Sequence, residues 1–241
     1  LCGLLVLLGV YHVRALPAGG GAAERHSLRD GLSGLKEVVG AFFQKKHIWY
    51  YLGFIILYRL GEGFVMKIVP LFLKADISSG GLGLTNQQIG LYYGTFGAGA
   101  FLLGSLLAGY YIAHRGLRRT LFTLCCIFNI PFAVYALLAW LQPQSMWIVG
   151  VLEYFGYGFG FVGLTLFMMQ QVAPGRHQMA HYAFASGIMN LSVMLTGAVS
   201  GYLSDALGYG MFFLAVMLAT VPAFLVTWFV PFTYDDKPND K

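Results

Sequence analysis

Four ionisable side chains lie inside stretches of the sequence that are otherwise apolar. Arg59, Glu62 and Lys67 fall within one such stretch, and Glu153 falls within another. On insertion scales an ionisable side chain at membrane depth costs about 2.5 kcal/mol or more, so it usually faces a cavity or a partner. The chemistry open to these groups is ion pairing, binding of an anionic or carbonyl-rich solute, and exchange of a proton.

Three of these residues are spaced to flank one side of a helix. Glu62 is three residues after Arg59 and shares its face, whereas Lys67 lies about 80° round on the other side. The sequence therefore predicts a polar stripe centred on Arg59, roughly 16 Å into the span. A purely structural ion pair between Arg59 and Glu62 is the alternative. Lys67, with no acid on its own face, favours a polar substrate pathway.

Local features around these residues sharpen the two hypotheses. Gly61 and Gly63 flank Glu62, and Pro70 follows, so a break or kink is predicted in this helix. Broken helices at the binding site are common in secondary transporters. Glu153 is a lone carboxyl group roughly 10 Å into its span. Because such carboxyl groups serve in proton relays, we predict a proton-coupling site; a basic partner on a neighbouring helix is the alternative.

The composition indicates an integral membrane protein built of helices. Of 241 residues, 58% are hydrophobic and only 10% are charged, whereas soluble domains have about 25% charged residues. This excludes disorder and a nucleic-acid-binding domain, and it argues against a soluble globular fold. A helix needs about 20 apolar residues to cross the hydrocarbon core. Six stretches meet this condition, namely 48–73, 89–113, 120–141, 146–172, 181–204 and 210–232.

The segments outside these spans predict the topology. Residues 1–13 are apolar and are interpreted as part of a transmembrane helix, with a clipped signal peptide as the alternative. Residues 14–47 are predicted to be a cytoplasmic loop with a surface helix, and 233–241 a cytoplasmic tail. With this orientation 12 of the 15 basic residues are cytoplasmic and only Lys74 is on the opposite side, as the positive-inside rule requires. Topology thus explains the net charge of +5 without a nucleic-acid partner.

Small residues are concentrated in the second and fourth spans. GxxxG spacings occur at Gly90–Gly94 and Gly156–Gly160, and small residues let helices approach closely in lipid. Static packing is one interpretation, and sliding of helices during transport is the other. His177 and His181, at i and i+4, are the only candidates for a metal site. Since no acid lies within ten residues of them, neither a metal nor a cofactor is expected.

Residues 109–119, GYYIAHRGLRR, join the second and third spans and resemble the signature loop of the major facilitator superfamily. That loop has a glycine, an acid, a basic residue, a second glycine and further basic residues. Ala113 stands where the family has the acid, and His114 stands at a basic position. The resemblance implies a gating loop made of Gly109, His114, Arg115, Gly116, Arg118 and Arg119.

Longer stretches resemble the AmpG-type muropeptide permeases and the related acetyl-CoA transporters. These are YRLGEGFVMKIVPLFLKADI with LTNQQIG, EYFGYGFGFVGLTLFMMQQ with HYAFASGIMNL, and GYLSDALGYGMFF. The matching positions are Tyr58, Arg59, Gly61, Glu62, Gly90, Glu153, Tyr182 and Ala183. Family members carry Thr-Ala-Thr-Gln before the tyrosine of the fifth span, whereas this chain has Gln-Met-Ala-His.

The resemblance implies the C-terminal half of a twelve-helix transporter and not an enzyme. Residues 1–13 would be part of helix six, 14–47 the central cytoplasmic loop and 48–232 helices seven to twelve. It implies proton-coupled uptake of muropeptide-like or other anionic amphiphilic solutes across a bacterial inner membrane. The partners would be the solute, protons, the bilayer and an N-terminal six-helix half. The substrate pathway would contain Arg59, Glu62 and Lys67, and Glu153 would be the proton site. The alternatives are a transporter of acetyl-CoA, a sugar or a nucleoside, a non-transporting sensor, or a membrane enzyme.

Overall fold

The computed structural model describes residues 28–141 and 147–234, so the predicted segment 1–13 and most of the predicted tail 233–241 lie outside it. The chain divides into two units, Leu1–Glu37 and Val38–Lys241. Helix α1, Leu28–Phe43, begins in the first unit and ends in the second. All other described helices belong to the second unit, and no strand occurs within the described ranges. The predicted all-α fold is confirmed.

The helices of the second unit match the predicted apolar stretches. They are α2, Ile48–Tyr58; α3, Leu60–Lys74; α4, Asn86–Arg115; α5, Leu117–Leu141; α6, Trp147–Phe167; and α7, Gln178–Trp228. Part of α4, Gly90–Gly97, is π-helical, and a second π-helical stretch, Met168–Val172, continues α6. Among the described residues, four helices are long and apolar enough to cross a membrane: α4, α5, Val151–Val172 and α7.

The first predicted span is broken, as its sequence suggested. Helices α2 and α3 meet at Arg59, whose φ and ψ are −101° and 9°. Pro70, by contrast, lies inside the continuous helix α3. Gly61 and Gly63 are in α3 just after the break. Both glycines allow close packing there, because residues of α7 leave no room for a Cβ atom at either position.

Helix α7 accounts for the last two predicted spans. Its 51 residues would extend about 75 Å as a straight helix, more than twice the roughly 30 Å of the hydrocarbon core. Gly208, with φ 70° and ψ 162°, interrupts it in a conformation that glycine adopts readily. Both parts contact α2: Ser192 Oγ donates to Ile56 O at 3.4 Å, and Tyr50 Oη donates to Val226 O at 3.0 Å.

The connection between α4 and α5 is shorter than the predicted loop 109–119. Only Gly116 separates the two helices, and its φ of 77° lets the chain turn within one residue. His114 Nδ1 lies 3.0 Å from Tyr110 O in the last turn of α4. The other residues proposed for gating therefore lie on helices, with Gly109, His114 and Arg115 on α4 and Arg118 and Arg119 on α5.

Lys45, which lies between α1 and α2, caps the end of the fourth span. Its ammonium group donates to the carbonyl oxygens of Val172, Ala173 and Pro174 at 2.5, 3.1 and 2.7 Å. The last carbonyl groups of a helix lack partners within the helix, and a cation is favourable beside them. Partial burial lowers the pKa of Lys45, and these carbonyl groups provide the acceptors that its partly buried ammonium group needs.

Glycine contacts determine how closely α4 and α5 approach α6. In α6, a methyl group at any of four glycines would overlap a neighbouring helix; these are Gly156, Gly158, Gly160 and Gly163. In α4, a methyl group at Gly104 would also overlap a neighbour, and one at Gly97 would lie 3.1 Å from the Tyr154 ring. The other glycines of α4 have nothing within 4 Å of such a methyl group; these are Gly90, Gly94, Gly99 and Gly109. The two predicted GxxxG spacings therefore differ: Gly156–Gly160 packs against α5, and Gly90–Gly94 has no packing partner among the described residues.

This difference predicts opposite effects of one substitution on one helix. A Cβ at Gly104 would overlap the backbone oxygen of Phe155, so Gly104→Ala should destabilise the protein by about 1–3 kcal/mol. Gly99→Ala adds the same methyl group in open space and should be neutral or stabilise it by up to about 1 kcal/mol. Thermal unfolding in detergent measures the stability of both variants relative to the wild type. Equal effects of the two substitutions would contradict the packing assigned to Gly104.

Candidate functional site

The break between α2 and α3 positions a buried ion pair. The guanidinium of Arg59 donates through Nε to Glu62 Oε2 and through a terminal nitrogen to Glu62 Oε1, both at 2.5 Å. Both residues are less than 10% exposed. The Arg59 guanidinium carbon also lies 5.3 Å from the centre of the Phe161 ring on α6, within the range of a cation–π contact. The pair is thus a bidentate, charge-assisted contact shielded from solvent.

Glu153, on α6, belongs to a chain of hydrogen bonds that joins three helices. Its Oε2 accepts a hydrogen bond from the hydroxyl of Tyr135 on α5. The Tyr135 hydroxyl in turn lies 2.6 Å from the hydroxyl of Tyr93, in the π-helical part of α4. A tyrosine hydroxyl buried in an apolar helix needs a polar partner, and here the carboxylate and the second hydroxyl supply it. No basic side chain pairs with Glu153 among the described residues.

One small cavity brings the two glutamates together. Its volume is about 100 Å³, enough for a few water molecules or a small chemical group. Helices α3, α5 and α6 supply its walls, which include Glu62, Glu153, Phe128, Phe132, Tyr154 and Tyr157. The substrate-pathway and proton-site candidates therefore share one aromatic-lined space. Arg59 reaches this space through its bond to Glu62.

Lys67 is not part of this cluster. It is exposed, and a methyl group added at Gly197 on α7 would lie 3.2 Å from its Cγ. Lys67 forms no ion pair with any described residue. The predicted stripe of three charges is therefore divided: Arg59 and Glu62 face the interior, whereas the ammonium group of Lys67 lies apart from them.

The other polar residues of the apolar stretches make structural contacts. Gln171 accepts hydrogen bonds from the backbone of Thr233 at 2.8 Å and of Tyr234 at 3.1 Å, and its amide donates to Tyr234 O at 2.9 Å. His181 is buried, with Nε2 3.2 Å from Val38 O and its ring 5.9 Å from that of His177. The described residues contain no group of three potential metal ligands.

Tyr93 and Tyr135 are the site residues that sequence reasoning missed. The only available signal was a hydroxyl group within an apolar span. The sequence contains 15 tyrosines, so that signal does not single out these two.

Several described helices are long and apolar enough to cross a membrane. They surround buried charges and a cavity lined by two carboxyl groups. These features indicate a multi-pass membrane protein. Residues 52–241 match the Major Facilitator Superfamily. The chain belongs to this superfamily, which points to a transporter and not to an enzyme.

Several relatives carry more specific names. The chain is 25% identical over 187 residues to the anhydromuropeptide permease of Escherichia coli strain K12, covering 77% of this chain and 37% of that protein. It is 25% identical over 195 residues to the putative transporter AmpG 2 of Rickettsia bellii and 26% identical over 196 residues to that of Rickettsia typhi. These matches cover 78% and 79% of this chain and 46% of each relative. The predicted resemblance to AmpG-type permeases is confirmed, and the chain spans less than half the length of these relatives.

Proposed function

We propose that this chain is the C-terminal six-helix half of a twelve-helix secondary active transporter. The complete protein would take up muropeptide-like or other anionic amphiphilic solutes with protons across a bacterial inner membrane. The observation that carries the proposal is the cavity shared by Glu62 and Glu153. A solute and a proton that enter one space can influence each other's binding, which is the requirement for coupled transport.

The proposed pathway gives each charged group a separate task. Lys67 attracts an anionic solute, because its ammonium group is exposed at membrane depth without a described carboxylate partner. Arg59 and Glu62 form the buried end of the pathway. Glu153 takes up and releases the proton. In this proposal residues 48–232 rock against an N-terminal half while the site stays near the midplane, and 233–241 lie in the cytoplasm.

The test is uptake by the full-length protein in proteoliposomes with an imposed pH gradient. Labelled anhydromuropeptide should accumulate when the gradient is present and should stop accumulating when a protonophore collapses it. Acetyl-CoA, a sugar and a nucleoside, offered separately, discriminate the related substrate classes. Accumulation of one of these instead would refute the proposed substrate, and no accumulation of any solute would favour a non-transporting role.

The task assigned to Lys67 makes a separate prediction. Lys67→Met should raise the KM for an anionic solute by roughly tenfold or more, because a charge-assisted contact is lost. Stability should not fall, since no described ion pair is broken. Lys74→Met, at the exposed end of the same helix, is the matched control and should leave the KM unchanged. Uptake rates at several solute concentrations give the KM of both variants. A KM for Lys67→Met equal to that of the wild type would show that Lys67 is not on the pathway.

A further inference from the structure

Two tyrosine hydroxyls lie beside Glu153 and have no role in the function proposed above. Tyr135 is fully buried, and its hydroxyl donates to Glu153 Oε2. Tyr93 is partly buried, and its hydroxyl lies 2.6 Å from that of Tyr135. Because the three residues come from α4, α5 and α6, their contact depends on how these helices pack.

The rings of both tyrosines are held in place by other aromatic rings. Tyr135 stacks on Phe213 of α7, with ring centres 5.5 Å apart and planes at 22°. The Tyr93 ring meets the edge of Tyr154 at 5.6 Å and 75°. Ring contacts of this kind fix the position of an aromatic side chain. The hydroxyl of Tyr135 is therefore held at the carboxylate by packing as well as by its hydrogen bond.

Other ionisable groups also surround the Glu153 carboxylate. In the described part of the chain they are Tyr154 and Tyr157 on α6, Tyr135 on α5, Tyr93 on α4, and Glu62 of α3 with its partner Arg59. The Glu62 charge is balanced by Arg59 within the same pair. The Tyr93 hydroxyl also interacts with the Glu153 carboxyl group. The hydroxyl of Tyr135 makes the direct hydrogen bond to Glu153 Oε2, and this contact fixes the direction in which the carboxyl group points.

We propose that Tyr135 is the positioning residue for Glu153, and that Tyr93 orients the Tyr135 hydroxyl. This inference rests on the proposed role of Glu153 as the proton site. In the step concerned, a proton from cavity water or from the solute forms an O–H bond with the Glu153 carboxylate, and the donor keeps the electron pair. Tyr135 keeps its own proton throughout, and only its hydrogen bond to the carboxyl group adjusts.

The experiment uses the full-length protein in proteoliposomes and compares Tyr135→Phe, Tyr93→Phe and Tyr50→Phe. Tyr50→Phe is the matched control, because it removes a hydroxyl that bonds a carbonyl group of α7 away from the cavity. Infrared difference spectra on acidification report the C=O band of protonated Glu153, which is identified by its loss in Glu153→Gln. This readout does not depend on any transported solute.

Tyr135→Phe should move the Glu153 band to higher frequency, because the carbonyl oxygen loses a donor. It should also lower the maximal rate of gradient-driven anhydromuropeptide uptake about tenfold, because losing a hydrogen bond to a charged group has an effect of this size. The KM should not change. Tyr93→Phe should move the band less, and Tyr50→Phe should leave the band and the rate unchanged.

An unshifted Glu153 band in Tyr135→Phe would overturn the inference. If Tyr135→Phe does not fold, Tyr93→Phe decides in its place, and an unshifted band there also overturns it. A shifted band in a protein that accumulates no solute supports the positioning of Glu153 and refutes the proposed transport function. The two proposals can therefore fail separately.

Discussion

Arg59→Leu alone should destabilise the protein by about 3–5 kcal/mol, because it leaves the buried carboxylate of Glu62 without its partner. Glu62→Leu should cost a similar amount, since the guanidinium is then the unpaired charge. The double variant should return to within about 1 kcal/mol of the wild type, because replacing both members of a buried pair by apolar groups is often neutral. Unfolding in mixed micelles, measured as a double-mutant cycle, gives these values.

Uptake by the same three variants separates the two interpretations of the pair. If the pair belongs to the substrate pathway, the double variant is stable and inactive. If the pair only neutralises itself, the double variant is stable and transports at the wild-type rate. A double variant as unstable as either single one would show that the cavity depends on charge at these positions.

Glu153→Gln should abolish concentrative, gradient-driven uptake, with a loss of about 100-fold or more for a group that transfers the proton. Glutamine keeps the size of the side chain and can accept the hydrogen bond of Tyr135, but it cannot take up a proton. Exchange of labelled for unlabelled solute at equal concentrations needs no net proton movement and should persist. Uptake and exchange, measured in the same proteoliposomes, therefore distinguish lost coupling from lost folding.

Asp205→Asn is the matched control for this experiment. Asp205 is an exposed acid on α7, so its replacement removes one negative charge away from the cavity. It should leave both uptake and exchange unchanged. Full gradient-driven uptake by Glu153→Gln would remove Glu153 from the proton pathway, and full uptake by a variant that also carries Glu62→Gln would refute coupling through this cavity.

The helices and the Arg59–Glu62 pair can be predicted from the sequence, because both depend on local spacing. Apolar stretches of the length of the bilayer form helices whatever their neighbours are. An acid three residues after a base meets it on the same helix. Lys67 departs from the predicted stripe for a reason that is also local: it follows Glu62 by five residues in the continuous helix α3, which places it about 140° round from Glu62.

The remainder of the site depends on how helices rotate and pack, which spacing does not specify. Gly90–Gly94 and Gly156–Gly160 have the same spacing, yet only the second meets a neighbouring helix in the described residues. Similarly, no local pattern places the hydroxyl of Tyr135 at Glu153, because that contact requires α5 and α6 to present particular faces to each other.

The local character of the Arg59–Glu62 pair has an electrical consequence. The two opposite charges are three residues apart on one chain segment. Any movement of that segment therefore carries no net charge across the bilayer. The membrane potential does work of about 2.3 kcal/mol per elementary charge per 100 mV, and it does almost none on this pair. In the proposed pathway voltage would act instead on Lys67, on the ionised form of Glu153 and on the charge of the solute, so these groups would determine how strongly the electrical gradient drives the proposed cycle.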